Sequence, residues 1–411
     1  KIYNLFKDFK YIIPQGSIMS QLGSKSIGSL SNCFVIGQPE DSYGGIFQKD
    51  EEQAQLMKRR GGVGQDISSL RPKGTSTSNA AKSSTGPISF AHRFSNTTRE
   101  VAQDGRRGAL MLSIDIKHPD SLEFIKSKRN STDITGANMS VKIGNDFMEA
   151  VVNDDRFVLR WPIDFYEKNP SFEGSMEESK YDADLNVLMP IIVENETIGH
   201  TKVIKAKEYW NEIIESAHGF AEPGIIFEDN HHKYSPDGIY DQFKGVTTNP
   251  CGEIFMQAYD ACRLIAVNYF SFVEKPFTKD AFFNYSKFYE VNYEAMRLSD
   301  DLIDLEMEHI QKILNKIDND SESEEVKSRE KALWEKVYKT AASSRRAGLG
   351  LTALGDTLAA LGHNYDSDTG IFIINKIMRT KMESELDCII DMAILRGPFE
   401  GWDNNKEFDL I

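Results

Sequence analysis

Asn249-Pro250-Cys251-Gly252-Glu253 places three reactive side chains at alternate positions. In an extended segment residues i, i+2 and i+4 share one face, so an amide, a thiol and a carboxyl would line one pocket wall. Pro250 biases the residue before it away from helix. A further thiol, Cys262, follows in the same segment. The grouping points to thiol chemistry. Spacing alone leaves a second reading open, a surface turn or strand edge around a structural Cys, because Cys often packs as a small hydrophobe.

The 411-residue chain is 40% hydrophobic and 27% charged, which suits a soluble globular protein of one large domain or two to three ordinary ones. No apolar run approaches the roughly 20 residues that span a membrane. The chain opens on Lys1-Ile2-Tyr3, without a signal-peptide pattern or an initiator Met, and is expected to start after the true beginning. A net charge of −15 excludes a general nucleic-acid-binding surface, which needs clustered Lys and Arg. A small local anion site remains compatible with it. Four Cys, at positions 33, 251, 262 and 388, make no disulfide framework, so a reducing, cytoplasmic setting is expected. No His stands near them at zinc spacing, and no metal site is expected. A redox pair among these thiols needs Cα atoms about 5.5 Å apart; the spacing along the chain is equally compatible with unrelated buried thiols.

Outward from the motif, strand and helix signals alternate. Residues 30–36 read as a strand carrying Asn32 and Cys33, 41–60 and 87–102 as helices, 109–114 as a strand, 122–129 as a helix, and 139–143 and 157–161 as strands. Residues 165–200 read as irregular, 318–325 as an acidic exposed loop between helices, and 344–361 as a helical Gly/Ala/Leu region. The mixture predicts an α/β fold with a large mixed sheet or barrel and surrounding helices. Gly61-Gly62-Val63-Gly64 lacks the Gly-Lys-Ser/Thr of a phosphate loop and reads as a helix stop. Gly348-Leu349-Gly350 reads as close helix packing. The Gly-flanked turn Asp104-Gly105-Arg106-Arg107-Gly108, with the polar loop 130–138, reads either as a solvated turn or as a phosphate site.

Several further stretches carry a family resemblance. They are Ser31-Asn32-Cys33-Phe34-Val35, Arg60-Gly61-Gly62-Val63-Gly64, Leu70-Arg71-Pro72-Lys73-Gly74, Ser84-Thr85-Gly86-Pro87, Gln103-Asp104-Gly105-Arg106-Arg107-Gly108 and Arg345-Arg346-Ala347-Gly348-Leu349-Gly350-Leu351-Thr352-Ala353-Leu354-Gly355. In this order, with Asn249-Pro250-Cys251-Gly252-Glu253 at the family's finger loop, they resemble the large catalytic subunit of ribonucleotide reductase over most of the chain. The resemblance implies a ten-stranded α/β barrel, built from two five-stranded half-barrels around a central finger loop. Residues 1–30 would end an N-terminal helical region. Residues 31–411 would hold the first half-barrel, the finger loop and part of the second half. The family's Pro-Thr-Gly-Thr loop, C-terminal Cys pair, tyrosine pair and N-terminal ATP cone have no counterpart in these residues. A longer chain or a second polypeptide is therefore expected to complete the barrel.

The same resemblance implies reduction of ribonucleotides, as di- or triphosphates, to 2′-deoxyribonucleotides. Cys251 would carry a thiyl radical and take the 3′-hydrogen of the substrate ribose. Glu253 would act as general base toward the 3′-hydroxyl, and Asn249 would hold the ribose hydroxyls. Cys33 and Cys262 would be the reducing pair. Asn32, Ser17 and Gly252 would contact substrate, and Cys388 would be structural. Asp41, Arg71, Gln103, Arg106 and Arg107 would bind a nucleotide effector such as dATP, dTTP, dGTP or ATP. The partners implied are a thioredoxin or glutaredoxin reductant and a second copy in a homodimer. The Asn-Pro-Cys-Gly-Glu form and the 11-residue step from Cys251 to Cys262 look like the adenosylcobalamin-dependent class II. The alternative radical source is the metal-containing partner subunit of class I. The alternative function is one half of a split reductase that binds effector but needs a second polypeptide.

Overall fold

A computed structural model describes residues 2–101, 107–129, 134–168, 186–193 and 195–408. The chain divides into two compact units, residues 33–259 and residues 1–32 with 260–411. No helix among the described residues is long and apolar enough to cross a membrane.

In the unit formed by residues 33–259, five parallel strands lie side by side in chain order. They are β1 (Cys33–Val35), β2 (Gly62–Asp66), β3 (Leu110–Asp115), β4 (Asn138–Ile143) and β5 (Gly224–Phe227). Parallel neighbours need long crossovers; α1 (Tyr43–Lys58) follows β1 and α2 (Pro87–Glu100) follows β2. The Ser42 hydroxyl caps α1 by accepting the Gly45 N–H at 3.0 Å. The buried Gln53 amide of α1 donates to the Phe94 carbonyl (2.8 Å) and the Thr98 hydroxyl (3.0 Å) of α2, which locks the two helices together.

Register sorts the side chains of this sheet. Val63, Leu110, Leu112, Ile114 and Val141 share one face, all buried. The other face carries Gly62, Gly64, Asp66, Ser113, Asp115, Asn138, Ser140 and Lys142, with Met111 its one large apolar side chain on β2–β4. Parallel strands covered on both faces are usually apolar throughout. A face of glycines, hydroxyls and charges instead lines something polar. Lys142 Nζ lies 3.0 Å from Asp66 and 2.9 Å from Glu228. Asp66 and Lys142 stand on β2 and β4, two strand spacings of about 4.8 Å apart, and a sheet curled toward this face lets them meet. Burial disfavours the ammonium, but the carboxylates of Asp66, Glu228 and Asp115 outweigh it and raise the Lys142 pKa. Burial also pushes Asp115 up to about 6.

A second sheet of this unit sets Glu196–Lys205 between Arg156–Trp161 and Met189–Val193, all antiparallel. The stretch expected to be irregular therefore contains strands, while residues 169–185 lie outside the described set. Gly199 and the polar residues around it dilute the period-two signal, and pairing supplies the regularity.

The other unit has a sheet in the order Ile12–Pro14, Leu264–Asn268, Gly348–Thr352, the first pair antiparallel and the second parallel. It packs on α3 (Tyr285–Asp318), and α4 (Glu324–Ser344) and α5 (Asp368–Arg396) pack in turn on α3. Its core joins Ile12, Ile265, Val267, Tyr269, Phe272 and Phe288. The acidic stretch does connect two helices, with Ser323 capping α4. The expected helix over 344–361 is corrected to a strand followed by a helix at Leu354–Leu361. A Cβ at Gly348 would stand 2.8 Å from the Arg263 carbonyl oxygen, so glycine there permits close strand pairing rather than helix packing. Local composition misses this because the partner strand is more than eighty residues away.

Glu306 of α3 is fully buried. Its carboxylate accepts the Ser29 hydroxyl, the Ser31 hydroxyl at 3.0 Å and the Leu30 N–H at 2.6 Å. His309, one turn on, pairs through Nδ1 with the Gly28 carbonyl at 3.0 Å. These contacts fasten residues 28–31, which lead directly into Asn32 and Cys33. Glu306→Ala would strand three buried donors, each worth about 1–3 kcal/mol when unsatisfied. We expect a loss of about 3 kcal/mol or more in denaturant unfolding, with Glu306→Gln losing less.

Candidate active site

Thr247–Thr248 pairs antiparallel with Phe255–Met256, making a hairpin with its tip at residues 249–254. The tip is a closed turn. Asn249 N–H donates to the Ile254 carbonyl at 3.1 Å and Gly252 N–H to the Asn249 carbonyl at 3.0 Å. Ile254 N–H donates to Asn249 Oδ1 at 3.1 Å, and Gly252 takes φ +82°, where glycine is at ease. The extended arrangement expected from alternation is thus corrected: the turn, not a strand face, presents Cys251 and Glu253. Part of the Asn249 carboxamide holds the turn. Its Nδ2 is buried without a hydrogen-bond partner, and such a donor calls for a ligand.

The hairpin is seated on the polar face of the parallel sheet. The Thr248 carbonyl oxygen occupies the place of a side chain at Gly64, and a Cβ at Gly62 would stand 2.8 Å from Pro250 Cγ. The Ser113 and Thr247 hydroxyls share a buried hydrogen bond of 2.7 Å. Asn138 Nδ2 donates to the Pro250 carbonyl at 2.9 Å. The Gly61-Gly62-Val63-Gly64 run does more than stop a helix, although Gly61 N–H does close α1 by donating to the Leu56 carbonyl at 3.1 Å. Helix α1 ends at Lys58, Arg60 makes the turn at φ +79°, and the glycines of β2 clear space for the hairpin. Ser113, Thr247 and Asn138 were missed in the sequence. The alternation Asn138-x-Ser140-x-Lys142 beside Ser113-x-Asp115 was the available sign of a polar inner face.

Cys33, the first residue of β1, is buried, while Cys251 and Glu253 are exposed. Their sulfur and carboxylate oxygen atoms all lie within 4.8 Å of one another. The hydrogen bond from Cys33 favours the Cys251 thiolate. It outweighs burial and the Glu253 carboxylate, which oppose the charge, and brings Cys251 down to about 7. Two sulfurs and a carboxylate oxygen thus share one small cluster. Sequence spacing does not detect that set, because its members come from β1 and a distant hairpin.

The remaining thiols and substrate candidates belong to the unit of residues 1–32 and 260–411. Ser17 N–H donates to Asn32 Oδ1, and Gly16 at φ +50° leaves the space that Asn32 fills. Ser17 Oγ and Asn32 Nδ2 are buried without partners. Asn32 N–H donates to the carbonyl of buried Cys262 at 3.1 Å. Arg346 of the Arg345-Arg346 pair anchors the chain just before Cys262, its Nε binding buried Asp260 at 2.7 Å, while Arg345 bridges Asp300 (2.7 Å) and Asp304 (2.8 Å) of α3. Cys388 is buried in α5, and burial pushes its thiol up to about 11.

Of the effector candidates, Asp41 and Arg71 meet. Asp41 accepts Arg71 Nε at 2.6 Å and its backbone N–H at 2.9 Å, beside a cleft of about 250 Å³ that Tyr43, Thr77, Asn79 and Phe90 also line. Arg107 lines a different cleft with Arg99 and Thr135. Gln103, Arg106 and residues 130–133 lie outside the described residues.

With this geometry in view, comparison with known proteins is decisive. The family model for the ribonucleotide reductase barrel domain matches residues 31–409. The chain belongs to the ribonucleotide reductase barrel family. A vitamin B12-dependent ribonucleoside-diphosphate reductase of Thermoplasma acidophilum is 29% identical over 392 residues, covering 95% of this chain and 43% of that protein. One of Mycobacterium tuberculosis is 25% identical over 396 residues, covering 96% and 48%. The chain thus spans about half the length of these relatives. The Actinobacillus ureae class Id ribonucleotide reductase alpha subunit superposes with a TM-score of 0.67 at 18% identity, over 97% of this chain and 60% of that one. The α/β barrel fold expected from the motifs is the fold of this family, and β1–β5 form a curled half-barrel sheet.

Thiolates, not thiols, react with iodoacetamide. The Cys251 alkylation rate should therefore rise with pH through a midpoint near 7, followed by peptide mass spectrometry. Cys33→Ala removes the stabilising donor and should move that midpoint upward. A midpoint that stays put in Cys33→Ala would refute the thiol contact.

Proposed function

We propose that the chain carries the radical-bearing part of a ribonucleotide reductase active site. The observation that carries this reading is the hairpin tip, where Cys251 stands beside Cys33 and Glu253 within 4.8 Å. In the proposed reaction the Cys251 thiyl takes the 3′-hydrogen of the ribose, and Glu253 accepts the 3′-hydroxyl proton. Asn249, with its free buried Nδ2, orients the ribose hydroxyls. The 2′-hydroxyl leaves as water after protonation by a thiol of the Cys33 and Cys262 pair. That pair supplies two electrons and ends as a disulfide, and Cys251 returns hydrogen to C3′. A thiol reductant of the thioredoxin or glutaredoxin kind then restores the pair. The unpaired Ser17 hydroxyl and Asn32 amide supply donors for substrate phosphate.

Adenosylcobalamin is the proposed cofactor, by likeness to the B12-dependent relatives. The residue that fits it is Cys251, exposed at the hairpin tip and open to a bulky group. When bound, the cofactor supplies the radical that takes the hydrogen atom from this thiol. The proposed effector site is the cleft beside Asp41 and Arg71, whose guanidinium offers donors to a phosphate.

Turnover of ribonucleoside di- and triphosphates should be measured with added adenosylcobalamin, for the chain alone and together with any co-encoded polypeptide matching the rest of the relatives. Activity only in the second case supports the split-enzyme alternative. Cys251→Ser should abolish turnover of the active assembly without unfolding it, and multiple turnovers in that variant would sink the radical role. Glu253→Gln should lower the rate by about 10² to 10⁴.

A further inference from the structure

The seat of the hairpin includes one side chain whose job is not packing. Asn138 opens β4 on the polar face of the sheet, in register with Met111, and is exposed. Its Nδ2 donates at 2.9 Å to the Pro250 carbonyl, the peptide group that joins Pro250 to Cys251. Of the other hairpin contacts, Gly64 beneath Thr248 and Ser113 against Thr247 act lower down, and Gly62 meets the Pro250 ring, not its peptide group. Only Asn138, among these contacts, grips the turn at the bond leading into the reactive thiol. Pro250 restricts its own φ and Gly252 sits at φ +82°, so holding the intervening peptide plane fixes where the Cys251 side chain leaves the backbone.

We infer that Asn138 is a positioning residue that sets the Cys251 thiol against Cys33 through the Pro250 carbonyl. It touches neither sulfur and acts through the peptide plane. The inference rests on the reading of Cys251 as the reactive thiol, but its test needs no turnover. The same peptide bond carries the electrostatic consequence. With the plane free to rotate, the Cys33 hydrogen bond is lost for part of the time. The Cys251 thiolate then loses the interaction that favours it, while Glu253 continues to oppose its charge.

The test uses the whole chain and iodoacetamide. Asn138→Leu keeps the side-chain shape, removes the donor and adds no charge. Asn138→His offers an Nδ1–H at the same number of bonds from the backbone. The expected result for Asn138→Leu is a Cys251 alkylation midpoint raised by about one pH unit, which makes alkylation about tenfold slower at pH 6. Asn138→His should recover most of that loss, and the thermal unfolding midpoint should hold in both. An unchanged midpoint in Asn138→Leu, or equal slowing in the two variants, overturns the inference. Should Asn138→Leu fail to fold, Asn138→Ala gives the same comparison against Asn138→His. A raised midpoint in a chain that never supports ribonucleotide reduction would leave the inference standing and remove the enzymatic reading instead.

Discussion

A carbonyl oxygen lies where a side chain would otherwise be. The Thr248 carbonyl fills the space above Gly64, and the placement of the reactive tip follows from that contact. Any Cβ at position 64 would push the hairpin off the sheet. Once the hairpin lies flat on β2, Ser113 meets Thr247 and Asn138 meets Pro250. Cys251 then comes to rest beside Cys33 at the start of β1. The polar face of the sheet is thus a template for an irregular loop, and its cost is reduced because most loop polar groups seated there find a partner.

The chemistry depends on what remains unpaired. Asn249 Nδ2, Ser17 Oγ and Asn32 Nδ2 are among the buried side-chain atoms without partners in the described residues. Unsatisfied buried donors destabilise a fold by about 1–3 kcal/mol each, and they persist most naturally where a ligand completes them. All three belong to residues that the family resemblance assigns to substrate. At Cys251 the hydrogen bond from buried Cys33 outweighs burial and the Glu253 carboxylate and lowers its pKa.

Where local reading erred, the errors share a cause. Gly61-Gly62-Val63-Gly64 reads as a helix stop and Gly348-Leu349-Gly350 as helix packing, yet only Gly61 closes a helix, and Gly62, Gly64, Gly348 and Gly350 lie in strands. Glycine is a poor helix former and a weak strand former, so its local signal is ambiguous. In each case its purpose is a close approach by backbone from far along the chain, Thr248 in one and Arg263 in the other. The alternation in Asn249-Pro250-Cys251-Gly252-Glu253 misled differently. It placed the correct residues together for the wrong geometric reason, since a turn rather than a strand presents them.

By itself the sequence determined the class of fold, the helices α1 and α2, the identity of the reactive tip and the family, because motif order and side-chain periodicity are properties of the chain. Only the tertiary structure decided which thiol stands beside Cys251, why β2 is glycine-rich, and that Ser113 and Asn138 hold the hairpin. Those facts are distances between segments far apart in the chain, fixed by parallel pairing and by the room that absent side chains leave, and no local pattern encodes them.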